Sequence, residues 1–260
     1  MSFYQPVGSK TKQVLVIALA SGWLFAIISS SFTFAIAQPS DSRLPLVLIH
    51  GYAQDRSVWN TWIQWLANDN FVEIHPITFQ HDDKCGSVQQ HAVELSGIVD
   101  RILEGTDHER VNIVGYSKGG LDARGYLATD TDKVANLIMI GTPNDGSTAA
   151  YWDTTDCPFG ASDELLPGSP ATQVQDHPEN TNYFAIAGNW NPDIWCPSVF
   201  GIWYPDGGNC FIYGEDDKLV TVKSVFSSPE YTPLGEFPHD HFNLLTQQDV
   251  YQTAVTRLDR

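Results

Sequence analysis

Short runs of mainly apolar residues constrain the fold of this chain most strongly. Pro45 to Ile49, Val111 to Val114 and Val134 to Ile140 lack the alternation of a strand with one wet face. Such runs are typical of strands that are buried on both faces, as in a parallel sheet. Further strands are predicted at Phe71 to Phe79, Tyr183 to Ala187 and Phe211 to Tyr213.

Helical segments lie between these strands. Ser87 to Leu103 carries apolar residues at steps of three and four, which predicts an amphipathic helix. The other predicted helices are Val58 to Ala67, Leu121 to Ala128 and Thr246 to Leu258. Strands and helices that alternate at this spacing predict an α/β fold, with a mainly parallel sheet flanked by helices on both faces.

Two irregular stretches interrupt this alternation, at residues 144–181 and 188–209. The first is rich in Gly, Pro, Ser and Asp. Because a long irregular segment inside a compact domain is usually a lid or a binding loop, we predict a lid-like insertion at 144–181. The sequence shows no internal repeat, and residues 38–260 are predicted to form a single domain.

Residues 1–37 are typical of a secretory signal peptide. Lys10 and Lys12 precede an almost continuous apolar stretch from Val14 to Ile28, and Ala35-Ile36-Ala37 provides a small-x-small cleavage site. We therefore expect cleavage after Ala37 and a secreted or periplasmic protein. The alternative is that the same apolar stretch is an uncleaved membrane anchor.

The cysteine content agrees with export. Cys85, Cys157, Cys196 and Cys210 all follow the predicted cleavage site, and an even number in an oxidising compartment suggests two disulfides. Three pairings are open. Cys196 with Cys210 would close the shortest loop and leave Cys85 with Cys157. No spacing matches a zinc site.

The chain is strongly acidic, and this narrows its partners. Its 14 Lys and Arg face 31 Asp and Glu, which gives a formal net charge of −17. Phosphates would be repelled, so nucleic acid is not expected as a partner. The acidity is spread along the chain, and we interpret it as favouring solubility.

One motif points to nucleophilic catalysis. Gly115-Tyr116-Ser117-Lys118-Gly119 is a G-x-S-x-G between a predicted strand and a predicted helix, as a nucleophile elbow requires. Glycines are needed two residues before and after the serine because the turn leaves no space for Cβ atoms. Ser117 would then project from the sheet edge at a helix N-terminus, where negative charge is stabilised.

A second segment supplies the other half of an oxyanion hole. His50-Gly51-Tyr52 directly follows the first predicted strand, where alone it would be a plain turn. With the elbow present, we predict that the backbone N–H groups of Tyr52 and Lys118 form the hole.

A serine nucleophile also needs a histidine base and a carboxylate, and in this arrangement they follow the serine in the order acid, then histidine. Asp216 and Asp217 lie after a short predicted strand, and His239 and His241 precede the last helix. The residues themselves leave both choices open.

The sequence resembles the secreted bacterial lipases and esterases of the α/β-hydrolase fold over nearly all of residues 44–258. The motifs that carry the resemblance, besides the elbow, are Pro45 to Gly51 with Trp59, Gly119 to Arg124, Gly141 to Ser147, and Leu166 to Ser169.

The resemblance also selects between the candidate acids and bases. The family places its acid in Asp-x-x-Val, which Asp217 to Val220 matches, and its histidine in the pattern of His241-Phe242-Asn243-Leu244. Tyr116 and Lys118 replace the His and Met that are common beside the nucleophile. Asn243 stands where some calcium-dependent lipases have an aspartate, so no metal is expected.

This resemblance implies a carboxylic-ester hydrolase in which Ser117, His241 and Asp217 act through an acyl-enzyme without a cofactor. The implied substrates are lipid-like or small esters; transient contact with a lipid interface stays open, and no protein partner is implied. Two alternatives are an acyltransferase with the same three residues and an inactive binding protein of the same fold.

The tryptophans fall into two groups. Trp59, Trp62 and Trp65 recur every three residues on a predicted helix, which favours core packing. Trp152 and Trp195 lie in the irregular stretches, and our hypothesis is that they line an acyl pocket. Anchoring of the long loops is the competing interpretation.

Overall fold

A single sheet of six parallel strands organises the computed structural model, which describes residues 43–80, 86–129, 131–152, 161–174, 180–190, 214–228 and 230–258. The strands are β1 (Leu46–Ile49), β2 (Ile74–Ile77), β3 (Val111–Tyr116), β4 (Val134–Ile140), β5 (Asn182–Gly188) and β6 (Thr232–Phe237). Their order across the sheet is β2-β1-β3-β4-β5-β6, with every neighbouring pair parallel. The predicted α/β class with a parallel sheet is confirmed.

Helices cover both faces of this sheet. They are α1 (Asn60–Asn68), α2 (Val88–Glu104), α3 (Lys118–Leu127), α4 (Val222–Val225) and α5 (Gln248–Val255). Along β1, Val47 and Ile49 pack in a core with α2, α3 and α4, while Leu46 and Leu48 pack in a second core with α1 and α5. The continuous apolar runs of the sequence therefore reflect strands that are buried from both sides.

Local sequence signals account for the helix that carries most of the first core. Helix α2 begins after Ser87, whose hydroxyl accepts from the N–H of Gln90 while the Gln90 side chain accepts from the N–H of Ser87. This reciprocal capping box satisfies two donors that the first turn leaves without helical partners.

Some elements differ from the sequence-based predictions. Strand β6 was not predicted, because Pro233 and Gly235 within it are unfavourable in strands; at the edge of the sheet both are tolerated. Helix α5 is shorter than the predicted Thr246 to Leu258. Thr246 belongs to a 3-10 helix at His241–Thr246 that precedes α5, and α5 ends at Val255. The strand predicted at Phe211 to Tyr213 lies outside the described residues.

The prediction that the tryptophans near α1 belong to the core is confirmed for two of them. Trp59 and Trp62 are fully buried, with ring centroids 5.3 Å apart, and Trp65 is partly buried against Tyr251.

The described parts of the stretch 144–181 contain two 3-10 helices, Thr148–Trp152 and Asp163–Leu165, and are attached to α2 and α3. Arg124 of α3 donates to the Asn144 carbonyl oxygen (3.3 Å) and to that of Val174 (3.1 Å). Glu164 accepts from the N–H of Val88 at the start of α2 (2.7 Å). The lid-like role of this stretch stays a prediction.

Several other predictions fall on residues that the structure does not describe. These are the signal peptide at 1–37, Trp195, most of the stretch 188–209, and the four cysteines Cys85, Cys157, Cys196 and Cys210. Within the described ranges, no helix has the length and apolar character needed to span a membrane.

Candidate active site

Ser117 occupies a strained turn between β3 and α3. Its φ of 53° and ψ of −126° lie where residues with a Cβ are rare, at a cost of about 1–3 kcal/mol. A Cβ on Gly115 would stand 2.6 Å from the nitrogen of Gly120, and one on Gly119 would stand 2.5 Å from the carbonyl oxygen of His50. These contacts explain why the sequence has glycine on both sides of the serine.

His241 connects Ser117 to a carboxylate. Its Nε2 lies 2.9 Å from Ser117 Oγ, and its Nδ1 lies 2.6 Å from Oδ2 of Asp217. Both His241 and Asp217 are almost completely buried. With its proton on Nδ1, the imidazole donates to the carboxylate and leaves Nε2 to accept the hydrogen of the serine hydroxyl.

Backbone contacts hold the carboxylate and the imidazole together. Oδ1 of Asp217 accepts from the N–H groups of Leu219 (3.0 Å) and Val220 (2.7 Å), which leaves Oδ2 for the histidine. The N–H of His241 donates to the carbonyl oxygen of Asp217 (2.7 Å). A Cβ on Gly188, at the end of β5, would stand 2.6 Å from the Cβ of Asp217, so glycine there makes room for the acid.

The structure brings one of each pair of sequence candidates to Ser117. Asp217 and His241 join the serine, whereas Asp216 accepts from the N–H of Lys218 (2.6 Å) and His239 pairs with Asp249 (2.9 Å).

The two segments predicted to form an oxyanion hole meet at the serine. Lys118 is the first residue of α3, and the N–H groups of a first turn have no partners within their own helix. A Cβ on Gly51 would stand 3.0 Å from the Cβ of Ser117, so the loop that carries Tyr52 passes directly beside this serine.

Tyr116 supports the site in a way that the sequence did not reveal. Its phenol donates to the carbonyl oxygen of His241 (2.8 Å), and the ring is almost completely buried. Burial raises the pKa of this phenol above its usual 10, and the nearby carboxylates of Asp217 and Asp240 raise it further. The hydroxyl therefore keeps the proton that it donates.

A second support links the residues next to Asp217 and His241. Lys218 donates to Asp240 (2.9 Å), and its ammonium lies 3.6 Å from the ring centroid of Trp190. Asp240 also accepts from the N–H of Asn243, which caps the 3-10 helix that begins at His241. No spacing rule in the sequence would have identified this link.

The two tryptophans predicted to line an acyl pocket lie at or beyond the edge of the described residues. Trp152 ends a 3-10 helix, but its side chain is not among the described parts of the chain, and Trp195 lies wholly outside the described residues.

Asn243, which stands where some calcium-dependent lipases have an aspartate, donates through Nδ2 to both carboxylate oxygens of Asp240, at 3.0 Å each. Among the described residues, no group of three His, Cys, Asp or Glu is arranged to hold a metal ion.

The family follows from comparison with known proteins. The model of the palmitoyl protein thioesterase family matches residues 45–190, which include strands β1 to β5 and the serine turn. The chain belongs to the palmitoyl protein thioesterase family. Its match covers the segments that carry Ser117, Lys118 and Tyr52, and ends before Asp217 and His241.

Two curated relatives of the chain are triacylglycerol lipases. The chain is 29% identical over 145 residues to a triacylglycerol lipase from Burkholderia plantarii, covering 53% of this chain and 39% of the relative. A triacylglycerol lipase from Pseudarthrobacter phenanthrenivorans is 30% identical over 117 residues, covering 42% of this chain and 36% of the relative. The chain thus spans less than two-fifths of the length of these two relatives.

Solved structures share the fold. The mature lipase of Bacillus licheniformis has a TM-score of 0.59 at 23% identity, covering 85% of this chain and 94% of that chain. Lipase B of Aspergillus fumigatus has a TM-score of 0.56 at 14% identity, covering 84% of this chain and 53% of that chain. The family match and these structural likenesses together confirm the predicted α/β-hydrolase fold.

Proposed function

We propose that this chain is a carboxylic-ester hydrolase in which Ser117, His241 and Asp217 form a catalytic triad. The observation that supports this most directly is the pair of hydrogen bonds that joins the three side chains, 2.6 Å from Asp217 to His241 and 2.9 Å from His241 to Ser117. The order of these three residues along the chain does not by itself bring them into contact. Here the carboxylate contacts the imidazole and the imidazole contacts the hydroxyl, which is the arrangement that a serine nucleophile requires.

In the acylation step, Ser117 Oγ attacks the carbonyl carbon of the ester while His241 Nε2 takes the hydroxyl proton. The carbonyl oxygen becomes negatively charged, and the N–H groups of Lys118 and Tyr52 stabilise it; one such donor is worth about 2.7–4 kcal/mol. The tetrahedral intermediate then expels the alcohol, which receives the proton from His241, and an ester to Ser117 remains.

Deacylation repeats these steps with water. His241 takes a proton from a water molecule that attacks the acyl carbon, and the bond to Ser117 Oγ breaks as His241 returns the proton to it. Asp217 keeps the Nδ1–H tautomer of the imidazole in place and stabilises the imidazolium in each half of the reaction.

We propose lipid-like or small esters as substrates, because the curated relatives are triacylglycerol lipases. The family model describes a thioesterase, so acyl thioesters form a second candidate class. In this proposal Trp152 and Trp195 line the acyl pocket.

We also propose that residues 1–37 are a signal peptide and that 38–260 form the exported domain, with the stretch 144–181 acting as its lid. Amino-terminal sequencing of the protein recovered outside the cytoplasm tests the cleavage: a first residue of Gln38 supports it, and Met1 contradicts it.

A fluorophosphonate probe tests the nucleophile. We expect one equivalent of label on wild-type protein, no label on Ser117→Ala, and full labelling of Ser57→Ala, which removes an exposed serine. Wild-type protein that folds and takes up no label would refute the proposed function and favour the inactive binding protein.

Paired variants test the other two members of the triad. Asp217→Asn should lower kcat by about 10⁴, since the amide favours the wrong imidazole tautomer, while Asp216→Asn retains the catalytic contact. Likewise, His241→Gln should abolish turnover and His239→Gln should leave it within a few-fold. Equal losses within either pair would contradict the assignment.

The substrate class requires a panel of oxygen esters and matching thioesters with acyl chains from acetyl to palmitoyl. Each is assayed below and above its solubility limit, with and without an added alcohol. A rise in rate at the solubility limit indicates a lipase, preference for thioesters indicates a thioesterase, and an excess of transferred over hydrolysed product indicates an acyltransferase.

A further inference from the structure

Three buried polar side chains lie directly behind the serine turn, and the proposed mechanism uses none of them. Lys118 donates from Nζ to Oδ1 of Asp122 at 2.6 Å, one helical turn along α3. His91, which projects from α2, has its Nδ1 3.0 Å from Oδ2 of Asp122 and 3.2 Å from Nζ of Lys118. All three residues are at most 3% exposed.

The position of the imidazole nitrogen ties His91 to this ion pair in either tautomer. When Nδ1 carries the proton it donates to Asp122, and when it does not it accepts from Lys118. A hydrogen bond with one charged partner is worth more than a neutral one, and burial strengthens it. The first turn of α3 is therefore fastened to α2 through His91.

His91 also has ring contacts that lead to the other side of the serine. Its imidazole stacks on Phe79, with ring centroids 3.9 Å apart and an angle of 8° between the planes. Phe79 makes an edge-to-face contact with His50 at 5.7 Å. His50 directly precedes Gly51 and Tyr52 in the loop that passes beside Ser117.

We propose that His91 is a positioning residue that fixes the two arms of the oxyanion hole relative to each other. Through Asp122 and Lys118 it holds one amide, and through Phe79 and His50 it holds the loop that carries the other. This inference rests on the proposed function, because it assigns a role within the same site.

The ion pair alone does not provide this link. Lys118 and Asp122 belong to the same helix, so their contact stiffens α3 without attaching it to the loop after β1. Oxyanion donors act only within about 2.7–3.1 Å of the developing charge, and a misplacement of 1 Å costs roughly 100-fold in rate. A residue that sets the spacing between two donors therefore affects kcat without contacting the substrate.

His91→Phe is the direct test, because it keeps a ring against Phe79 and leaves the ion pair of Lys118 and Asp122 intact. The readout is the ratio of rates on an ester and on its thionoester, in which sulfur replaces the carbonyl oxygen. Sulfur is a weak hydrogen-bond acceptor and gains little from the hole, so a loosened hole lowers the ester rate more than the thionoester rate. A general loss of folded protein lowers both equally.

We expect His91→Phe to lower kcat for the ester about tenfold, with KM within twofold, and to lower the thionoester rate by less than about threefold. His91→Gln, whose amide can donate to Asp122, should recover part of the ester rate. Val99→Ala, a buried change eight residues further along α2, is the control and should leave the ratio unchanged.

Asp122→Asn provides an independent variant in case His91→Phe does not fold, and it should lower the ratio in the same direction. An active enzyme, labelled at Ser117, whose ester-to-thionoester ratio is unchanged in both variants would overturn the inference alone. Wild-type protein with neither labelling nor turnover would overturn the proposed function, and this inference with it.

Discussion

Replacing Tyr116 with phenylalanine removes one buried hydrogen bond and changes little else. The phenol donates over 2.8 Å to the carbonyl oxygen of His241, and the tyrosine side chain is about 2% exposed. Phenylalanine keeps the ring, its packing in the core beside α1 and α5, and its contact with the imidazole at 5.1 Å. The variant therefore isolates the hydroxyl.

The size of the effect follows from the burial of the contact. A typical hydrogen bond contributes about 0.5–1.5 kcal/mol, but a buried acceptor that loses its donor costs about 1–3 kcal/mol. We expect Tyr116→Phe to lower the free energy of unfolding by about 1–3 kcal/mol, the cost of leaving the buried carbonyl oxygen of His241 without this donor. The change in kcat should be less than tenfold, which corresponds to 1.36 kcal/mol, because Asp217 still holds His241 through the side-chain bond and the backbone bond.

Urea unfolding measures the loss, and Tyr126→Phe is the matched control. The hydroxyl of Tyr126 makes only a long contact with the hydroxyl of Thr131 (3.3 Å), and Thr131 is partly exposed and can bond water instead, so removal of the Tyr126 hydroxyl should cost less than about 1 kcal/mol. If Tyr116→Phe unfolds with the wild-type free energy, or loses no more than Tyr126→Phe, the support assigned to Tyr116 is wrong.

Two further predictions concern stability away from the serine. Burial raises the pKa of the Glu164 carboxyl above its usual 4.5, so the folded protein binds that proton more tightly and stability falls as the pH rises from 4.5 through the raised pKa. Glu164→Gln keeps an acceptor for the N–H of Val88. Between pH 4 and 7 its free energy of unfolding, measured with urea, should fall less than that of the wild-type protein; an identical fall would contradict this. Asn136 donates to Asn112 (2.8 Å) and accepts from Asn182 (3.0 Å), so Asn136→Ala should cost about 2–4 kcal/mol by the same assay, and a cost below 1 kcal/mol would refute the role of this contact.

The sequence predicts those features whose physical cause is local. A strand buried on both faces needs mostly apolar residues, so β1 and β4 could be located to within a residue. The serine turn needs glycines at fixed spacing because no Cβ fits there, and Gly115 and Gly119 mark it. In both cases the sequence signal is a short continuous segment, even though the contact that excludes a Cβ at Gly119 comes from the distant His50.

Features that depend on contacts between distant parts of the chain cannot be predicted from the local sequence. Strand β6 tolerates Pro233 because it lies at the edge of the sheet. Its edge position depends on the order of all six strands and cannot be read from the residues of β6 alone. His91 appears in the sequence as a single polar residue on an amphipathic helix, and nothing in its neighbourhood points to Asp122. Asp217 and Asp216 are adjacent, and the residues alone leave the choice between them open; the family pattern selects Asp217.

Ser117 and His241 are separated by 124 positions, and their contact has a consequence for synthesis. A ribosome adds the residues of the serine turn, β3 and α3 long before it adds His241, so an incomplete chain holds Ser117 without His241. Under the proposed mechanism, the hydroxyl of such an incomplete chain lacks the group that takes its proton, so catalytic competence requires the segment after β6.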